Sequence, residues 1–290
     1  MTTIPREFSF PLELEREIFE TTAALFPGLI PTLLRVCHRV HVWIEPLLYR
    51  VLAISPGSPH APLLNLVESK TSLLKTAVRH LLIQGYYPAA EYRDLVTACL
   101  GAVNLSIDGD ISIDILRALD KMRLRTLAFT IPEMFFTPDC GGFNRPLFMS
   151  VTHLDLYHGP GTEEHQFNWE TWSGLASIAA LTHLALSPPI AGGILPQVVV
   201  ECQHLLVAIV SIYPWEQELA APFAENLGIA DVRVVVMVTN KPFDVEWEVG
   251  ARGGDDYWVR AERFVNRKRA GELESNCYLL DETATSTNPP

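Results

Sequence analysis

The sequence has no paired cysteines. Its five, Cys37, Cys99, Cys140, Cys202 and Cys277, are scattered, odd in number and never spaced as CxxC. That excludes a disulfide framework and a zinc knuckle, and it fits reduced thiols. Basic charge is short too: 22 Lys and Arg stand against 34 Asp and Glu, a formal net charge of −12. A nucleic-acid surface needs a basic face, and only the run from Arg260 to Arg269 could supply a local one. Long apolar runs are missing; LLVAIVSIY at 205–213 falls well short of the ~20 residues of a membrane helix. The opening MTTIPREFSFPLELE has no apolar run after its charge, so no signal peptide is expected. These absences predict an intracellular protein, cytoplasmic or nuclear, with neither nucleic acid nor membrane as partner. No GxGxxG or GxxxxGK(S/T) turn occurs, and the Gly-rich stretches 159–166 and 250–256 read as turns. With no Ser/His/Asp order, HExxH or paired-carboxylate spacing, no catalytic residue, metal or cofactor is assigned.

What the chain does have is apolar mass: 48% of residues, with 19% charged, enough to bury a large core. It also repeats. VRHLLIQ (from Val78), AVNLSID (Ala102), LRTLAFT (Leu124), VTHLDLY (Val151), LTHLALS (Leu181) and VRVVVMV (Val232) share the alternation of a half-buried strand. HLLVAIVSI, from His204, belongs with them but has an ambiguous register. Aligned on the first inward apolar residue (Leu81, Leu105, Leu127, Leu154, Leu184, Val207, Val234), the steps are 24, 22, 27, 30, 23 and 27. Each step leaves room for one helix, and 89–100, 112–122 and 195–203 carry helical periodicity. The prediction is an α/β solenoid with one parallel sheet. The competing doubly wound domain would show near-continuous apolar strands, present only near the end, and a phosphate turn.

Here HLDL (153–156) and HLAL (183–186), after Val-Thr or Leu-Thr, resemble the LxxLxL core of leucine-rich repeats. The resemblance covers about residues 50 to 240 and implies an irregular solenoid, since Pro132, Gly159 and Pro189 stand where the closing Asn would fall. The residue before each inward position points to the solenoid's concave face. It is His80, His153, His183 and, in one register, His204, with Asp155 and Tyr157 beside His153. These six are the candidate substrate contacts. The histidines are read either as a pH-sensitive or metal-accepting ladder on that surface or as polar, sheet-compatible residues facing solvent.

Before the repeats, Pro11 and Glu13, Glu15 and Glu17 suit a helix N-terminus, with Leu14, Ile18 and Leu25 on one stripe. Pro27-Gly28 ends that helix. A second should run from Pro31 to Glu45-Pro46, with Leu33, Cys37, Val40 and Ile44 on one face. Cys37 then acts as a small hydrophobe. His38 and His41 lack the carboxylate that would complete a metal motif.

Pro11, Glu13, Leu14, Ile18-Phe19, Leu34, Val36-Cys37 and Pro46-Leu47-Leu48-Tyr49-Arg50 resemble an F-box. Phe10 replaces the family's Leu, and Val40 stands where its Trp is expected, with Trp43 three positions on. In overall style the segment is similar to divergent F-box-like proteins of mushroom-forming fungi. The resemblance implies docking on a Skp-type adaptor through Phe10, Pro11, Leu14, Ile18, Leu34, Val36 and Trp43. An F-box followed by leucine-rich repeats implies a protein-binding, non-enzymatic substrate receptor of an SCF-type ubiquitin ligase. The rival expectations are a stand-alone repeat module whose first helices merely cap it, and an enzyme with a concave-face site.

At the far end Asp255 or Asp256 should cap a helix with Trp258, Ala261, Phe264 and Val265 as its apolar stripe. It is expected to cover the last repeat, with Arg267-Lys268-Arg269 solvated. The predicted organisation is 1–50 F-box-like helices, 51–248 solenoid, 249–280 capping helix and 281–290 disordered tail.

Overall fold

The computed structural model describes residues 10–55, 60–85, 89–109, 111–158, 167–239 and 241–281. The expectations for 159–166 and for the tail beyond Asp281 lie outside them. Among the described residues nine strands form one open, all-parallel sheet in simple chain order. They are β1 (Val51–Ile54), β2 (His80–Gln84), β3 (Asn104–Asp108), β4 (Thr126–Ile131), β5 (His153–His158), β6 (His183–Leu186), β7 (Val207–Ile212), β8 (Val234–Val238) and β9 (Leu279–Asp281). The helices are α1 (Leu12–Leu25), α2 (Ile30–Leu33), α3 (His38–Leu48), α4 (His60–Ala77), α5 (Ala89–Ala98), α6 (Ile113–Leu119), α7 (Trp169–Trp172), α8 (Pro188–Glu201), α9 (Ala220–Glu225), α10 (Phe243–Ala251) and α11 (Tyr257–Arg269).

The register follows the leucines. Leu81, Leu105, Leu127, Leu154 and Leu184 lie side by side, and Ala208, not Val207, continues the row to Val234. That row and the one two residues on, Ile83 through Val236, are buried against the crossover connections in the main core. The backbone repeats as regularly as the side chains. Arg79 and His80 both donate their amides to the Arg50 carbonyl, and Val103 and Asn104 to that of Arg79. The same pair of hydrogen bonds to one carbonyl recurs at Val103, Arg125, Thr152 and Thr182, so β2 to β7 are each locked to their predecessor one residue before pairing begins.

The crossovers are uneven. Between β4 and β5 there are only 3-10 turns, at 133–136, 142–144 and 146–148. They are stapled by aromatic packing: Phe135 sits 5.0 Å from Phe143, and Phe143 5.8 Å from Trp172. Arg145 grips Asp120 with two nitrogens, at 2.5 and 3.2 Å. Helix α8 approaches Phe167 so closely that a Cβ on Gly193 would lie 2.0 Å from its carbonyl oxygen, whereas Gly192 faces open space. Gly193→Ala is therefore expected to lose about 3 kcal/mol, while Gly192→Ala should gain about 0.5 kcal/mol from helix propensity. Urea melts of the two variants check this pair.

Three expectations need correction. The second N-terminal helix is not continuous from 31 to 45. It breaks after α2, Cys37 is extended (φ −164°, ψ 168°) as the residue before α3, and its side chain is exposed rather than on the apolar face. Pro46 does not end α3, which runs on to Leu48 even though the proline donates no amide bond back to the preceding turn. Finally, α11 caps no terminal repeat. Asp256 does cap it, through Val259 N at 3.0 Å, but the helix lies across the second face of the sheet, with β9 beyond it at the edge.

Candidate functional site

Two regions stand out, one at each end of the fold's chemistry. The first is the N-terminal helical segment. Ala23, Ile30, Val40 and Ile44 form its small core, with Phe19, Leu33, Leu34, Trp43 and Leu47 packed around them. Val40, at the position where an F-box tryptophan was expected, is fully buried. The opposite stripe of α1 is left in water: Leu14 is 48% exposed and Ile18 51%. Phe10 and Val36 are more exposed still, and Leu25, Phe26 and Leu29 extend the patch. Of the predicted docking residues, Phe10, Pro11, Leu14, Ile18 and Val36 are thus on the surface, while Leu34 and Trp43 are half-buried in the segment's own core. Burying one such side chain fully is worth about 1.5–3 kcal/mol, so each of these residues forgoes a stabilisation that the segment's own core does not supply. The segment is tied to the sheet's first crossover through Lys70, which donates to Glu45 (2.5 Å) and to the Tyr49 hydroxyl (3.1 Å).

The second region is the sheet face that was expected to be concave and open. It is neither bare nor aqueous. Helix α10 lies over β1 and β2, packing Trp247 and Ala251 on Leu82, and Trp247 Nε1 donates to Asn104 at 3.2 Å. Helix α11 then covers Ala185, Val207, Ile209, Val235 and Met237 with Trp258, Ala261, Phe264 and Val265. Lys268, expected in solvent, is 4% exposed, its ammonium bonded to the Val234 carbonyl at 2.7 Å between Phe264 and Tyr278. The basic run is further neutralised by Arg260–Glu246, Arg263–Asp255 and Arg267–Glu272 pairs.

The histidines lie beneath this cover. His153 and His183 are register partners whose rings stack at 4.1 Å, both with Trp258 edge-on. Thr152 donates its hydroxyl to the Arg125 carbonyl and Thr182 its own to the Thr152 carbonyl. Each hydroxyl oxygen is therefore free to accept from Nδ1–H of the following histidine, at 2.9 Å. Burial lowers both imidazoles to about 4; for His153 the neighbouring His183 adds to this and Glu262 opposes it. His80 is likewise lowered to about 4, by burial and by Arg50, Arg79 and Arg252. His204 is no part of the row: Val207 pairs with His183, and His204 is exposed in the turn before β7. Asp155 is 1% exposed and accepts from the hydroxyls of Tyr157 and Tyr257, each at 2.7 Å, with one oxygen unpartnered. Burial pushes its carboxyl up to about 6 despite those two bonds. His80, His153, Asp155 and His183 therefore lie under or beside helices, whereas Tyr157 also reaches the carboxyl ends of the strands.

The cover stops short at the carboxyl ends of the strands. There a cleft of about 610 Å³ opens between the ends of β2 to β7 and the start of α10. Its walls are aromatic: Trp215 stacks on Tyr213 at 4.5 Å, and Phe243 meets Tyr157 edge-on at 5.6 Å. Asp108, held by the Thr130 hydroxyl at 3.2 Å, and Asp244 line it as well. Sequence reasoning reached only Tyr157 among these. The Tyr-Pro-Trp that leaves β7 was a readable signal, because a large aromatic just past a strand end falls on this edge. Among the described residues no group of three or more metal-binding side chains occurs, and no helix is long and apolar enough to cross a membrane. No family model matches the chain, and no curated protein matches it.

Proposed function

We propose that the chain is a protein-binding adaptor, the substrate-recognition subunit of an SCF-type ubiquitin ligase. In this reading its N-terminal helices are F-box-like and dock a Skp-type adaptor, and the remainder is an irregular leucine-rich-repeat solenoid that holds a protein substrate. The observation that carries it is the divided α1: Ala23 and Phe19 serve the segment's own core, while Leu14 and Ile18 stay exposed. A segment that only capped the first strand would turn that second stripe inward. Strands in chain order, a leucine row in register and a recurring pair of amide hydrogen bonds to one carbonyl support the repeat reading.

The test is co-purification with a Skp-type adaptor. Leu14→Asp combined with Ile18→Asp is expected to weaken the complex at least about a hundredfold while the melt shifts by less than about 1 kcal/mol. Val40→Asp, a charge in the segment's core, should instead unfold the segment itself. Absence of a complex at micromolar concentration, or an affinity unmoved by the double variant, would leave a stand-alone binding module.

A further inference from the structure

The cleft at the carboxyl edge has a chemistry of its own. Four aromatic residues, Tyr157, Tyr213, Trp215 and Phe243, line it, and Trp215 is 76% exposed although its ring is stacked on Tyr213. A large indole held face-on to a second ring, yet left open to water, is a platform rather than a core residue. The charges around it are negative. Asp108 and Asp244 line the cleft, Asp155 lies behind the Tyr157 hydroxyl, and Glu216 follows Trp215 in the chain. Their effect is felt at Tyr213, whose hydroxyl is pushed up by burial and then by Asp155, Asp108 and Glu216. Among the described residues one cation lines it, Lys241, which stands 3.7 Å from the buried Glu246 beside the closer Arg260. The lining thus combines π-faces with two carboxylates to one ammonium, a balance that favours an organic cation over an anion.

We propose that this cleft binds the cationic side chain of a protein substrate, a lysine ammonium or arginine guanidinium presented on an extended peptide. The choice of a peptide as carrier rests on the adaptor reading above; the preference for a cation rests on the cleft alone. The aliphatic stem would lie along the aromatic wall, with the charged head at Asp108. The N-terminal helical segment lies at the other end of the strands: the groove that α1 and α3 form with α10 is lined by Arg50, Val51 and His80, at the amino ends of β1 and β2.

The test titrates the full chain with an acetylated, amidated alanine pentapeptide carrying one central lysine, followed by the indole N–H resonance of Trp215, assigned with Trp215→Phe. Saturable movement of that resonance is expected, absent for the norleucine analogue and weakened by added salt. Trp215→Ala and Asp108→Asn should each reduce affinity about tenfold, with the melt unchanged because both side chains are exposed. Equal binding of the norleucine peptide would overturn the proposal in favour of an apolar groove. A shift produced by tetramethylammonium but not by the lysine peptide would overturn the peptide carrier, and silence from both would overturn the cation. None of these outcomes involves a Skp-type adaptor, so failure here leaves the docking proposal to stand or fall by its own experiment.

Discussion

Taking the protein from pH 7 to about 4 is expected to remove about 4 kcal/mol of folding free energy, a large part of the 5–15 kcal/mol typical of a domain. The signs come from opposing groups. His153 and His183 have folded values near 4 against an ordinary 6.5. Between those values the unfolded chain binds more protons, so stability is present above 6.5 and lost as pH falls, by about 3 kcal/mol for each ring. Asp155 works the other way: its folded value of about 6 exceeds the ordinary 3.8. The native state is the one that binds its proton in that window, so acidification returns about 2 kcal/mol. His80, which is more open, adds less to the loss. Urea titrations at half-unit intervals of pH would show the slope. His153→Gln with His183→Gln should flatten it. Asp155→Asn should add about 2 kcal/mol at pH 7, an advantage gone by pH 4. A stability curve flat from 7 to 4 would mean that the stacked rings are hydrated, contrary to their place under α11.

Trp258→Ala is expected to destabilise the protein by about 4 kcal/mol. Its ring fills the space between α11 and two strands, 5.2 Å from His153 and 5.9 Å from His183, and stands 4.8 Å from Tyr257. Truncation therefore opens a cavity beside two imidazoles whose low proton affinity depends on dryness. Both should then titrate closer to 6.5, and the variant should lose less on acidification than the parent. Trp215→Ala removes the same side chain from a lip open to water and should leave the melt unmoved. Comparing the two by urea denaturation, with imidazole NMR on Trp258→Ala, separates an indole that holds the fold from one that faces the cleft.

Much of the sheet was legible because each strand advertises a half-buried alternation. All seven recurring segments are strands, and six of the seven inward residues are the right ones. The seventh, Val207, failed for a physical reason: Val207 and Ile209 make the second face of β7 as apolar as the first over its opening four residues, so alternation does not fix its phase. The same uniformity held a message. Strands β7 and β8 are buried on both faces, and a strand apolar throughout requires a cover on each side. The apolar stripe of α11 was recognised, yet its destination was misplaced, because a stripe shows that a helix packs without showing where. Strands β1 and β9, four and three residues long, escaped notice. The break at Cys37 has no marker in the sequence. The exposed stripe of α1 could be listed from the sequence as apolar, but only the fold shows that none of the described residues covers it.

The route of the chain after β8 has a bearing on biosynthesis. Between Val238 and Leu279 the polypeptide leaves the sheet, covers its second face with two helices, and only then adds the final strand. A ribosome that has released β8 but not α11 therefore displays a bare apolar ledge, Val207, Ile209, Val235 and Met237, beside an unpaired strand edge. Nascent chains stalled in that interval are the species on which holdase chaperones would act, and a premature stop there would yield an aggregating fragment rather than a shorter working protein.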